Sequence, residues 1–190
     1  EVSKYFGKII RNWINSESNL KNIIEIGSGT GSLIEQIGIK EITAVELSST
    51  ARKELIKKGI NTHTTIDELT TKTSDLIFGN EILDNIPCSI GLYKDEVWYE
   101  KVVLFEEASL AYDLKPMRNE ELDWVNKNNI VPNEDYEFEI QVNIDKFLNS
   151  VIKKINPGKI LLFDYGYEQQ NRDKRMYSSL LRTYKNHHLS

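Results

Sequence analysis

The stretch that decides the fold is IIEIGSGTGSLIEQI, Ile23 to Ile37. A short run of isoleucines meets three glycines at alternate positions, and Leu33, Ile34 and Ile37 then recur at helical spacing. Asn22–Ile26 is predicted as a buried strand and Thr30–Ile37 as a helix. Glycine tolerates positive φ and lets the backbone approach a ligand closely, so Gly27, Gly29 and Gly31 read as a loop built around something. A helix starting there would turn free N–H groups toward an anionic group. The bland alternative is a tight turn with no ligand.

Outward from this loop, helix and strand patterns alternate. Ser3–Ser16 carries Phe6, Ile9, Ile10 and Trp13 on one helical stripe. Glu41–Leu47 reads as a second strand, Ser49–Lys58 as a helix, INTHTT as a weak third strand and Ser74–Asn80 as a fourth. The βαβαβ order implies an α/β fold: a Rossmann-like, doubly wound, mostly parallel sheet with right-handed crossovers. Ser89–Phe105 then reads as two strands around Lys94-Asp95-Glu96, an antiparallel hairpin inserted into that core. Tyr136–Val142 is predicted as a strand, Ile144–Ile155 as a helix, and Lys159–Tyr167 as a buried strand after the Pro157-Gly158 break. Ala108–Asp135 is polar and reads as a long loop with one short helix, Asn119–Asn126. The whole is expected to be a single domain, 1–190, with an insertion at about 88–135.

Composition narrows the partners. With 39% hydrophobic and 28% charged residues the chain has the balance of a water-soluble globular protein. Its 24 basic and 29 acidic residues leave a net charge of −5, which argues against nucleic acid and suits a basic protein segment better. The single cysteine, Cys88, forbids an internal disulfide and points to a reducing compartment, the cytoplasm or, in a eukaryote, the mitochondrial matrix. No apolar run nears the roughly 20 residues needed to span a bilayer. His63, His187, His188 and Cys88 show no metal-site spacing, so no metal is expected.

Two ligand classes compete for the glycine loop. A dinucleotide fingerprint would want its third glycine at position 32, which is Ser32. The observed G-x-G-x-G, with Glu25 ahead of it, resembles motif I of class I methyltransferases, which bind S-adenosylmethionine. That resemblance implies that Glu25, Gly27, Ser28, Gly29 and Gly31 hold the amino-acid end of the cofactor. It also implies that Glu46, at the end of the second strand, meets the ribose hydroxyls, which a carboxylate accepts well, and that Leu47 beside it belongs to the cofactor site. Asp67-Glu68 could reach the adenine amino group or simply start a helix.

Longer segments are more specific. FGNEILDNIP (Phe78–Pro87) and VWYE (Val97–Glu100) resemble the NEFFDALP segment and following W-Y-E strand of the MidA family. EVSKYFGKIIRNW, VELSSTARKE, the stretch from Tyr136 to Tyr167 and the tail LLRTYKNHHLS resemble further family segments in the same order. Members of that family are class I methyltransferases whose mitochondrial representatives methylate protein arginine and assist respiratory complex I assembly. Gly-Ser-Gly-Thr-Gly stands where the family often has G-P-G-R-G, and Asn85-Ile86 replaces Ala-Leu. Members usually extend beyond both ends of this chain, so a shortened relative or a piece is expected.

The chemistry is expected at the end of the fourth strand, since ligands of open α/β sheets sit outside the carboxyl ends of the strands. Glu81 and Asp84, three apart, could face one site from a helical turn and hold a guanidinium, with Asn80 as a polar anchor. Asp164 and Tyr165, ending ILLFDYG, form a second polar pair that could orient substrate, although Tyr165 could equally be a core aromatic. Trp98 and Tyr99 read as core packing rather than a partner groove. Arg182 and His187 match the resembled tail without an assigned role. The leading expectation is an S-adenosylmethionine-dependent methyltransferase acting on a protein side chain, arginine first, with an arginine-containing segment as partner. The alternatives are a non-catalytic assembly module of the same fold and a nicotinamide enzyme; oligomeric state is left open.

Overall fold

In the computed structural model, which describes residues 4–106 and 109–165 and the backbone of 184–185 and 188–189, the chain divides into two compact units. The first comprises the residues up to Asn85 together with Lys146–Tyr165, and the second comprises Ile86–Asp145 and, of the described residues beyond Tyr165, Tyr184–Lys185 and His188–Leu189.

The first unit is the α/β sheet. Helix α1 (Lys4–Ser16) leads to β1 (Ile23–Ile26), α2 (Ser32–Ile37), β2 (Ile42–Val45), α3 (Ser49–Lys57), β3 (Thr62–His63) and β4 (Ser74–Asn80). After the second unit the chain returns through α5 (Val142–Lys154) into β9 (Ile155–Phe163). The strand order is β3-β2-β1-β4-β9, parallel at every pairing. Strand alternation sends Ile23, Ile42, Ala44, Leu76 and Phe78 to one face, against Ile10, Ile14, Leu33, Ile34, Ile37 and Leu55 of the first three helices. Ile24, Ile26, Val45 and Ile77 go to the other, against Val151 and Phe147 of α5 and Ile66. Each face burying its own helical layer is the doubly wound arrangement expected.

Local differences have simple causes. In α1 the buried stripe is Ile10 and Ile14 flanked by Phe6 and Trp13, and Ile9 faces solvent, because the i, i+4 row Phe6, Ile10, Ile14 centres the buried face and leaves Ile9 outside it. Helix α2 starts two residues later than expected because Gly31 is left-handed, at φ 85°. Strand β9 runs straight through the expected break: the ladder pairs Ser74 with Ile155 but Leu76 with Lys159, so Pro157-Gly158 forms a bulge on a strand that is the sheet's edge among the described residues, where proline is tolerated. A Cβ at Gly158 would lie 2.3 Å from the Asp75 carbonyl oxygen, a main-chain atom that cannot rotate away. Gly158→Ala is therefore expected to destabilise by about 2–3 kcal/mol and lower the melting temperature by several degrees. An unchanged melt would show that the bulge makes room for a side chain at this position.

The second unit is a four-stranded antiparallel sheet, ordered β7-β6-β5-β8, from β5 (Ser89–Lys94), β6 (Val97–Glu106), β7 (Ser109–Pro116) and β8 (Glu137–Ile140), with α4 (Asn119–Lys127). The expected hairpin is β5–β6, turned at Asp95-Glu96 with φ of 48° and 61°, the primed geometry that matches strand twist. It is part of a larger sheet, because β7 occupies the stretch read as loop. Met117, Val125, Phe138 and Ile140 form the core, and Trp98 stacks edge-to-face on Phe138 at 5.2 Å, in its expected packing role. Inside this unit Glu121 is buried and takes hydrogen bonds from the Arg118 main chain and guanidinium and from Ser89 Oγ. Burial pushes its carboxyl up, but those bonds outweigh it and hold the group below the usual carboxylate range.

Tyr184–Lys185 pairs antiparallel with His188–Leu189. Arg182 and His187 lie outside the described residues. None of the described helices is long and apolar enough to cross a membrane.

Candidate functional site

The site is built from the first unit alone, at the carboxyl ends of β1, β2, β4 and β9. Where β1 ends, Gly27 N–H donates to the Val45 carbonyl at 2.8 Å, which binds the loop's first residue to β2. Gly27, Gly29 and Gly31 all have positive φ, of 69°, 53° and 85°. They are glycines for different reasons. A Cβ at Gly27 would strike Ile82 at 2.7 Å, and one at Gly31 would strike Leu55 at 2.7 Å. A Cβ at Gly29 would meet nothing within 4 Å, so the loop is open at its centre. Helix α2 has only six residues, so the loop's own amides rather than a helix dipole define its electrostatics.

Two glutamates flank this opening. Glu25, in β1, is 3% exposed, and its Oε2 is buried without a hydrogen-bond partner among the described residues. Burial pushes its carboxyl up to about 7; the Ser28 hydroxyl beside it works against that, and the charge of Glu46 adds to it. Ser28 Oγ donates its proton to the Glu25 main-chain carbonyl at 3.0 Å. Glu46 follows β2, and both its oxygens are engaged: Oε2 accepts Gly29 N–H at 2.8 Å and Oε1 accepts Ser48 N–H at 2.7 Å. Arg52 Nη1 donates to the carbonyls of Glu46 and Leu47, at 2.8 and 2.6 Å, and so holds the β2 exit in place while the Leu47 side chain stands exposed.

At the end of β4, Asn80 is half-buried and the chain bends sharply. Glu81 takes φ 50°, with its N–H donated to the Phe163 carbonyl at 2.7 Å, and its exposed carboxylate has no partner among the described residues. The helical turn expected to carry both Glu81 and Asp84 is a short 3₁₀ turn, Leu83–Asn85, which begins only after Glu81. Asp84 is held there by the Asn85 amide at 2.8 Å and by the Tyr165 hydroxyl at 3.0 Å. Asp164 accepts Leu83 N–H at 2.7 Å and Tyr165 N–H at 2.9 Å, so β9 pins the turn after β4. Tyr165 is 73% exposed, which removes the core-aromatic reading. Its hydrogen bond to Asp84 raises its pKa above the ordinary phenol value, followed by the charge of Asp84, burial, and the charges of Glu81 and Asp164. Three carboxylates thus surround one exposed phenol.

The Asp67-Glu68 pair lies in a 3₁₀ turn, Ile66–Glu68. Glu68 accepts Thr64 N–H at 2.9 Å, which lowers its pKa, and buried Lys154 donates to the carbonyls of Asp67 and Leu69. Arg52 and Lys154 are positioning residues that the sequence reading missed, because a cation on a helix reads as a solvated face unless its main-chain partners are known. Among the described residues no group of three or more histidine, cysteine, aspartate or glutamate side chains is placed to hold a metal.

Two crystal structures of COG1565 superfamily proteins from Burkholderia thailandensis share the fold. One, bound to S-adenosyl-homocysteine, superposes with TM-score 0.71 at 22% identity over 88% of this chain and 48% of its own. The other, a native crystal structure, gives 0.70 at 19% identity over 92% of this chain and 51% of its own. The chain thus spans about half the length of each. No curated protein matches the sequence. A family model matches residues 6–190, and the chain belongs to that family, described as "Putative S-adenosyl-L-methionine-dependent methyltransferase".

Proposed function

We propose that the chain is an S-adenosylmethionine-dependent methyltransferase of the MidA type that modifies a protein side chain, arginine first, presented on a basic segment. The observation that carries the cofactor half of this reading is the buried, unpartnered Glu25 Oε2 beside a glycine loop that is open at Gly29. An unpaired carboxyl oxygen is costly to bury unless a donor arrives, and the cofactor's cationic amino group is such a donor. Glu25 and the amides of residues 27–31 would hold that end, and Glu46 would hold the ribose hydroxyls. When bound, the cofactor supplies a methyl group already activated on a sulfonium.

The chain's own work is then to place and orient the acceptor. A guanidinium is planar and cationic, and a carboxylate fixes its plane while matching its charge. Glu81 has the free carboxylate for that task, whereas Asp84 and Asp164 brace the turn and Tyr165 beside it. The net charge of −5 is consistent with a basic acceptor segment.

Calorimetry with S-adenosylmethionine tests the cofactor half. Micromolar binding is expected, weakened ~10-fold or more by Gly29→Val, which fills the open centre of the loop, and by Glu46→Ala. One observation favours a second reading, the non-catalytic module: both Glu46 oxygens are already satisfied by main-chain amides. No heat at millimolar cofactor from the folded chain would decide for it. Labelled methyl transfer into a protein extract, with the modified residue identified by mass spectrometry, tests the acceptor; a methyl group on a residue other than arginine overturns that assignment.

A further inference from the structure

We infer that β7 is a homodimer interface: a second copy of this chain pairs antiparallel along it, with the two-fold axis at Leu114. The inference concerns the second unit and is independent of the activity proposed above.

Strand β7 is an edge strand, pairing only with β6 among the described residues. Its outward main-chain groups can be identified. Met117 N–H donates to the Trp98 carbonyl, so odd-numbered residues point toward β6 and Leu110, Tyr112 and Leu114 point away. Leu114 N–H confirms the parity, since its partner is the Asp113 carboxylate of its own strand, at 2.8 Å. A long edge whose outward N–H and C=O groups have no neighbouring strand is a template for another strand, and here the Leu114 N–H is met only by a side chain of its own strand. The surrounding surface is unlike a solvated one: Val103, Phe105, Leu110 and Tyr112 project from β6 and β7 on one face and are 53–73% exposed. Lys101 Nζ sits 4.8 Å over the Tyr112 ring and holds that side chain along the sheet.

Charge selects a second copy as the occupant and sets the register. With the axis at Leu114, Asp113 faces Lys115 of the other copy, and the pair occurs twice. Leu114 meets its own equivalent, and Tyr112 lies against Pro116, whose carbonyl still accepts although it has no N–H to give. Moving the axis to Tyr112 would instead set the two Asp113 carboxylates diagonally across the junction, a like-charge contact. In the pairing, Leu114 N–H passes from Asp113 to the partner strand, which frees that carboxylate for the lysine.

Sedimentation equilibrium of the 190-residue chain is expected to give twice the monomer mass at micromolar concentration. Asp113→Lys and Lys115→Asp should each weaken association on the order of 10-fold, and combining them should restore it, with circular dichroism unchanged because both side chains are exposed. In a Cys88→Ser background, Leu114→Cys should form a covalent dimer on mild oxidation, because a hydrogen-bonded antiparallel pair has Cα atoms ~5.5 Å apart, within disulfide range. Leu110→Cys, far from the axis, should not. A monomer mass up to ~100 µM overturns the inference. So does a dimer indifferent to both charge reversals, or one that cross-links through Leu110 and not Leu114.

Discussion

Glu81→Gly is expected to raise the melting temperature by a few degrees and to lower methyl transfer by ~100-fold or more, with cofactor affinity unchanged. Glu81 holds φ 50°, a conformation that costs a non-glycine residue roughly 1 kcal/mol and that glycine adopts freely. Nothing in the fold compensates through its side chain, since the carboxylate has no partner among the described residues and shares its surroundings with two other acids, Asp84 and Asp164. Removing it relieves backbone strain and like-charge repulsion together. A strained residue with a free carboxylate at the carboxyl end of a sheet strand is best explained by a task performed on something outside the chain. Glu81→Gln separates the parts: it keeps the strain and the shape but loses the charge, so it should match the glycine variant in activity and show only the smaller, charge-relief share of its gain in stability. Full methyl transfer by either variant to the true acceptor would remove Glu81 from the mechanism.

The parallel sheet was readable because its signals are local. Isoleucine-rich strands, a glycine loop and helical spacing all agree, and each core face then follows from strand alternation. Strand β7 carried a signal too, Leu110, Tyr112 and Leu114 alternating with Ala111, Asp113 and Lys115, but its outer half buries little, so the alternation looked like a polar loop. The site was half legible. Residue types at the strand ends could be named, because ligands gather there whatever the sequence between. Their partners could not. That Asp164 accepts an amide 81 residues away, that Tyr165 reaches Asp84, and that Glu46 spans from β2 to Gly29 are consequences of strand order, which no local pattern encodes. The distinction between Glu81 and Asp84, equivalent acids in the sequence, arises only once the turn is seen to start at Leu83.

Glu25 makes the largest pH effect expected of this fold. With its folded-state pKa raised to about 7 from an ordinary value of 4.5, the folded chain binds more protons than the unfolded chain between those two values. Stability therefore falls as pH rises through that window, is unaffected by this group below it, and levels off above about 7. The full span is on the order of 3 kcal/mol at most, and Glu25→Gln, which keeps the shape and cannot ionise, should flatten it. The same proton then couples to the ligand. If Glu25 receives the cofactor's cationic amino group, only its ionised form binds well, so affinity for S-adenosylmethionine should rise on the order of 10-fold from pH 5.5 to pH 6.5, about a unit below the range where an α-amino group loses its own proton. Calorimetry at pH 7 in two buffers of different ionisation enthalpy should show proton release on binding by the parent chain and none by Glu25→Gln. Glu46 faces the same carboxyl, so the slope should also shrink in Glu46→Gln, by the smaller share that its charge contributes. Binding that is independent of pH, with no proton released, would mean that Glu25 stays protonated under the ligand, and the cationic group would have to be held elsewhere.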